Sequence, residues 1–243
     1  MSPEENIVFT KDNLDLYLKE LAKEYKKLSG TAMPAEIILI GGAAIVANYG
    51  FREMTTDIDA VIQAASSMKD AINRVGDRFH LPNGWLNADF IKTSSYSPKL
   101  IEVSTYYKTF SHAAEIRTVA AEYLIAMKLR SGRKYKNDLS DVLGILAEHS
   151  ERGCPITFGR IDDAVCMLYN GWSAIEQDVK QMIEDAVIDG HYAEAYAAVR
   201  EEEKRTKDVL LDFEKTHPRA VNPSNVDDIL TALKAKRSGQ NIK

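Results

Sequence analysis

Glu36-Ile-Ile-Leu-Ile-Gly41-Gly42-Ala-Ala-Ile-Val-Ala-Asn-Tyr-Gly-Phe-Arg52-Glu-Met-Thr55-Thr56-Asp57-Ile-Asp59 is the stretch from which the rest of the chain can be read. Glu36 to Ile40 is a short apolar run rich in β-branched residues, which predicts a buried strand. Gly41-Gly42 follows, ahead of a short helix predicted over Ala43 to Tyr49 and closed by Gly50. Residues without side chains at a helix start let backbone N–H groups approach a phosphate. A second strand, Asp57 to Gln63, then opens with two carboxylates two residues apart. Alternation puts Asp57, Asp59 and Val61 on one face and Ile58, Ala60 and Ile62 on the other. Carboxylates that close repel each other unless a divalent cation or a proton lies between them. Arg52, Thr55 and Thr56 stand just before the pair, suited to hold a polyphosphate or its metal.

Outward from this stretch, Thr10 to Gly30 predicts an amphipathic helix, with Leu14, Leu18, Leu21, Tyr25 and Leu28 at three- and four-residue steps. Ser66 to Phe79 predicts another, with Ser66 as its cap. Leu81 to Gly84 is a turn. A short strand is expected around Asp89 to Thr93, and a third full strand over Lys99 to Tyr106. In that strand Ile101 and Val103 face one way, and Leu100, Glu102 and Ser104 the other. Two helices follow, Ala120 to Ser131 and Asn137 to His149, joined by Gly132-Arg-Lys-Tyr-Lys136. Past residue 150 only helical patterns occur, over Ile161–Tyr169, Ser173–Asp189, Tyr192–Lys215 and Val226–Lys236. The expectation is an α+β (mixed α/β) domain over 1–150, a small mixed sheet flanked by helices, then a helical region over 151–243.

A second block carries charge where an apolar stripe is expected. In the helix 120–131, Ala121, Leu124 and Ile125 form the inward stripe, and Lys128 falls on it. A lysine on the packed side of a helix is costly unless an anion receives it. Lys128, Arg130, Arg133, Lys134 and Lys136 place five cations within nine residues without an acid among them. In an acidic chain this reads as a candidate triphosphate or RNA-backbone site. Asp138 and Asp141, beside the stripe Leu139, Val142, Leu143 and Leu146, either orient Lys128 or serve as first-turn acids favoured by the helix dipole.

Gly41-Gly42, fourteen residues, then Asp57-Ile58-Asp59 between apolar neighbours resembles the signature of the DNA polymerase beta-like nucleotidyltransferase superfamily. Together with Lys128, Arg133, Asp138 and Asp141 it is most similar to prokaryotic AbiEii/MenT-like nucleotidyltransferase toxins. The resemblance covers about residues 36–148. It implies that Gly41 and Gly42 contact a nucleoside triphosphate, that Asp57 and Asp59 bind Mg2+ (Mn2+ being the alternative), and that a third carboxylate completes the metal set. Glu102 is the preferred third ligand and Asp89 its rival. Lys128 and Asp138 are then catalytic with Asp57 and Asp59, while Arg52, Thr55, Thr56, Arg133 and Asp141 bind substrate. The implied acceptor is a tRNA end or a protein hydroxyl, and the implied setting a toxin–antitoxin or phage-defence locus with an antitoxin partner.

Composition limits the alternatives. The chain has 243 residues, 45% of them hydrophobic, and a formal net charge of −5, so it does not coat nucleic acid by bulk charge. Cys154 and Cys166 form no CxxC pair, which removes a zinc ribbon and a disulfide scaffold. No apolar run reaches about 18 residues, so no membrane span is expected, and the acidic N-terminus does not read as a signal peptide. The expectation is a cytoplasmic protein. The five histidines are scattered without metal-ligand spacing. Gly41-Gly42 is not part of a Gly-x-Gly-x-x-Gly run, which disfavours a dinucleotide-binding oxidoreductase. Trp85, Tyr96, Tyr106 and Tyr107 could stack on a base, though packing explains them as well. The competing class is a catalytically inactive module that keeps the fold and binds a nucleotide or a partner protein. Its docking surface would include Glu201 to Asp208.

Overall fold

Short apolar runs alternating with amphipathic stretches give a sheet wrapped by helices in the computed structural model, which describes residues 7–30, 34–133, 136–222 and 225–237. In chain order these are β1 (Phe9–Thr10), α1 (Lys11–Ser29), β2 (Ala35–Leu39), α2 (Gly41–Asn48), β3 (Met54–Thr55), β4 (Ile58–Gln63), α3 (Ser67–Phe79) and β5 (Leu86–Asn87). Then come β6 (Ser104–Phe110), β7 (Ala114–Val119), α4 (Ala121–Ser131), α5 (Asp138–Glu151), α6 (Phe158–Tyr169), α7 (Gln177–Asp189), α8 (Tyr192–Thr216) and α9 (Val226–Arg237). The expected mixed sheet flanked by helices, with a helical C-terminal region, is the observed architecture.

The main sheet has the order β5-β4-β2-β7-β6. Strand β2 is antiparallel to β4 and parallel to β7, and β7 closes an antiparallel hairpin with β6. Consecutive residues Ile37, Ile38 and Leu39 are all fully buried, so both faces of β2 are covered. That is why its sequence reads as an unbroken apolar run rather than an alternation. Helix α1 starts at a reciprocal cap: the Thr10 N–H donates to Asn13 Oδ1 (2.8 Å), and Asn13 N–H to Thr10 Oγ1 (3.5 Å). Helix α1 packs on α3, α4 on α5 and α6, and α5 on α8. The apolar core does not stop at residue 150, because Ile156, Ile161, Val165 and Leu168 are buried in the same cluster as the sheet.

The local reading is corrected at five points. Ser66 does not cap α3: it has helical backbone angles and makes no capping bond. Residues 89–92 are a 3-10 turn, not a strand, because the Asn87 side chain accepts the Asp89 N–H (2.9 Å) and starts a turn there. The strand expected from Lys99 begins only at Ser104. Pro98, with its fixed φ and missing N–H, opens a 3-10 turn over Pro98–Leu100 instead, and Glu102 lies in the turn after it. Strand β7 was not anticipated, and helix α7 begins at Gln177 rather than Ser173.

Candidate active site

The end of β2 runs through Ile40 into α2, and Gly41 turns the corner with φ of +55°. A Cβ on Gly41 would stand 3.9 Å from Asp59 Oδ2, so this turn backs directly onto the carboxylate. Gly42 is more tightly enclosed. A Cβ there would come within 2.4 Å of Thr55 Oγ1 and 2.9 Å of an Arg52 guanidinium nitrogen. The second glycine is therefore required by the close approach of Arg52 and Thr55.

Asp57 lies one residue before β4 and is exposed, with Thr55 Oγ1 donating to its Oδ1 (3.1 Å). Asp59 is half-buried on β4, opposite Asn87 of β5. Burial raises its pKa, and the negative charge of Asp57, with a smaller contribution from Asp89, raises it further. A hydrogen bond from Asn87 and the charge of Arg133 oppose that rise. The two carboxylates thus interact, as the spacing requires. Asn87 is a site residue that the sequence reading missed; only strand register identifies it.

Behind this pair lies a chain of alternating charge. Arg52 bonds Asp141, and Lys128 reaches both Asp141 (2.8 Å) and Asp138 (2.9 Å). Arg133 bonds Asp138 through its side chain (3.0 Å) and its backbone N–H (3.2 Å). Asp138 is fully buried, and Lys128 nearly so. Burial works against the charge of Lys128, but Asp141 and Asp138 outweigh it and hold the ammonium above its ordinary pKa. Burial likewise opposes the charge of Asp138, and Lys128 and Arg133 overcome it, keeping the carboxyl well below the usual carboxylate range. The two aspartates therefore do orient Lys128. Both also stand in the first turn of α5, whose N–H groups at Leu139 and Ser140 are accepted by Glu203 of α8 (both 3.2 Å), as is the Ser140 hydroxyl.

Other expected positions are scattered. Glu102 is exposed in its turn, whereas the charge of Asp89 acts on Asp59. Thr56 is exposed and makes no side-chain hydrogen bond among the described residues. The five-cation block does not converge on one anion site: Arg130 donates to the Ala174 carbonyl (2.7 Å), while Lys128 and Arg133 are bound to Asp138. Lys134 lies outside the described residues. Trp85 is buried against Phe9 and Tyr17 and donates to the Ile72 carbonyl (3.0 Å), so it packs rather than stacks on a base.

Residues 17–147 match a family model described as nucleotidyltransferase of unknown function (DUF6036). The chain belongs to this family. The match spans Gly41-Gly42, the Asp57–Asp59 pair and the Lys128–Asp138–Asp141 group, while Glu203, which caps α5, lies outside it. No curated protein and no solved structure matches the chain. No helix among the described residues of this family member is long and apolar enough to cross a membrane.

Proposed function

We propose that this chain moves a nucleoside monophosphate from a nucleoside triphosphate to a hydroxyl, either at an RNA end such as that of tRNA or on a protein, with Mg2+ or Mn2+: the hydroxyl oxygen bonds to the α-phosphorus, the bond from that phosphorus to the β-phosphate oxygen breaks, and pyrophosphate leaves. The observation that carries the reading is the half-buried Asp59, pressed between the Gly41 turn and the charge of Asp57. The donor set suits a hard divalent cation. Two carboxylates repel each other there, and Mg2+ commonly takes only one or two carboxylates, with substrate phosphates completing its shell. Asp57 and Asp59 would hold the ion, with Asp89 the better-placed third carboxylate than Glu102. When bound, the metal supplies Lewis-acid polarisation of the reacting phosphate.

The chain's own residues do the rest. Gly41 and Gly42 admit phosphate oxygens close to the backbone at the start of α2. Arg52 and Arg133, at the two ends of the charge chain, face the negative charge of the triphosphate. Lys128, kept protonated by Asp138 and Asp141, gives a fixed positive charge that needs no reorganisation. Asp57, exposed at the mouth, takes the proton of the acceptor hydroxyl. A toxin–antitoxin or phage-defence setting in a prokaryotic cytoplasm, with an antitoxin partner, fits such an activity.

Incubation with each α-labelled nucleoside triphosphate, Mg2+ and total RNA or protein tests this. Label should enter one acceptor pool, and Asp59→Asn should remove it while the protein stays folded. The inactive-module reading has one observation in its favour: among the described residues no three His, Cys, Asp or Glu side chains group as a metal site. Nucleotide-induced thermal shifts that do not depend on Mg2+, without label transfer, would decide for it.

A further inference from the structure

Helix α8 sorts its charges by face. Arg205 lies 3.9 Å from Glu201 and 3.8 Å from Glu202. Arg200, Lys204 and Lys207, four and three residues apart and so on a shared face, make no ion pair within 4.0 Å among the described residues. That face opens onto a cavity of about 310 Å3 at the start of α5, lined also by Asn137, Glu201 and Glu203. The two acids answer the three cations only in part, the charge of Arg200 acting on Glu203. Glu201 faces Arg205, and the Glu203 carboxylate is occupied by Leu139 and Ser140. A larger cavity of about 530 Å3 beside Lys23, Lys26 and Lys27 differs in this respect. There Lys23 and Lys27 pair with Glu20 and Glu24, and Lys26 donates to the Ser111 carbonyl.

The α8 cavity is linked to the candidate active site through one lining residue, Asn137. Asn137 immediately precedes Asp138, which binds Arg133, whose charge acts on Asp59. From Arg200 to Lys207 the helix rises about 10 Å at about 1.5 Å per residue, which suits a run of anions better than a single one. We propose that this cavity binds the phosphate backbone of an acceptor RNA strand whose end lies toward Asp57 and Asp59. The proposal rests on the nucleotidyl-transfer reading and extends it to a helix outside the matched residues 17–147. Phosphate contacts of this kind fix position without reading sequence.

Fluorescence anisotropy of a labelled single-stranded oligoribonucleotide with the full-length protein, without nucleotide or metal, tests the site. Arg200→Gln/Lys204→Gln/Lys207→Gln alters exposed helical positions with a good helix former, and circular dichroism verifies the fold. The triple variant should bind at least about tenfold more weakly at low salt, with a log–log salt slope shallower by about 2, three contacts at about 0.7 each. Arg205→Gln, on the other face, should stay within about twofold of the parent, the loss of one charge away from the cavity. Unchanged affinity and slope in the triple variant would overturn the site, as would equally good competition by a polyglutamate peptide of the same charge. The transfer reading fails separately. RNA binding through these cations without any label transfer counts against catalysis alone, whereas transfer to RNA that is indifferent to the triple substitution counts against the cavity alone.

Discussion

At Asp59 a substitution separates chemistry from folding. Its carboxylate is half-buried beside another, so replacing it with Asn removes a repulsion while keeping the shape. Asp59→Asn should lose labelled-nucleotide transfer yet melt at or above the parent temperature, a pairing that calorimetry beside the transfer assay would show. Lys128 behaves in the opposite way. Lys128→Met leaves Asp138 and Asp141 buried without their shared cation, which should cost about 3–5 kcal/mol in denaturant unfolding. Acid acts on the same group. The lowered pKa of Asp138 means its stabilisation is complete above the ordinary aspartate value near 4 and is lost as pH falls through its lower folded value. Unfolding free energy measured below about pH 4 should therefore drop less steeply in Asp138→Asn than in the parent.

Among the elements, the hairpin β6–β7 shows where reading the sequence fails. Its turn residues Ser111 and His112 both have positive φ, 54° and 51°, without the glycine or asparagine that usually marks such a turn. With no turn signal the second strand went unseen, although Ala114, Ile116 and Thr118 alternate as buried residues on it. Ser111→Asn with His112→Gly should relieve the left-handed strain and raise the melting temperature by a few degrees, on the order of 1 kcal/mol. Legibility followed locality elsewhere too. The glycine turn, the Asp57–Asp59 spacing and the misplaced Lys128 were evident because each is a short-range pattern. Asn87 and Glu203 were not, because their roles arise from strand register and from a helix 63 residues away. Glu102 was placed on a strand that Pro98 delays to Ser104. Glu203→Ala should free the first-turn N–H groups of α5 and cost about 1–2 kcal/mol, with Glu203→Gln milder, as thermal melts of the two would show.

On the scale of the whole molecule, the break at residue 150 marks a change in secondary structure while the packing continues across it. Helix α6 supplies Ile161, Ala164 and Val165 to the core that also holds the sheet, and a small separate cluster of Leu210, Val226 and Leu230 joins α8 to α9. A chain ended at residue 150 would expose the α4 surface that α6 covers. It should bind a hydrophobic dye and elute as aggregates on size exclusion, whereas a chain ended before α9 should remain monodisperse.

The row Arg52, Asp141, Lys128, Asp138, Arg133 also constrains how this protein can change over generations. Each interior member is sheltered from water and flanked on both sides by the opposite sign, so replacing one alone strands its neighbours, and a viable lineage must exchange them in pairs. The terminal arginines reach solvent, with 17% and 46% of their side chains open, so losing one of them strands no buried partner without a cation, and what would hold them fixed is the triphosphate they face. Variation in descendants of this chain should therefore be concerted at the middle of the row, while its ends answer to substrate rather than to folding.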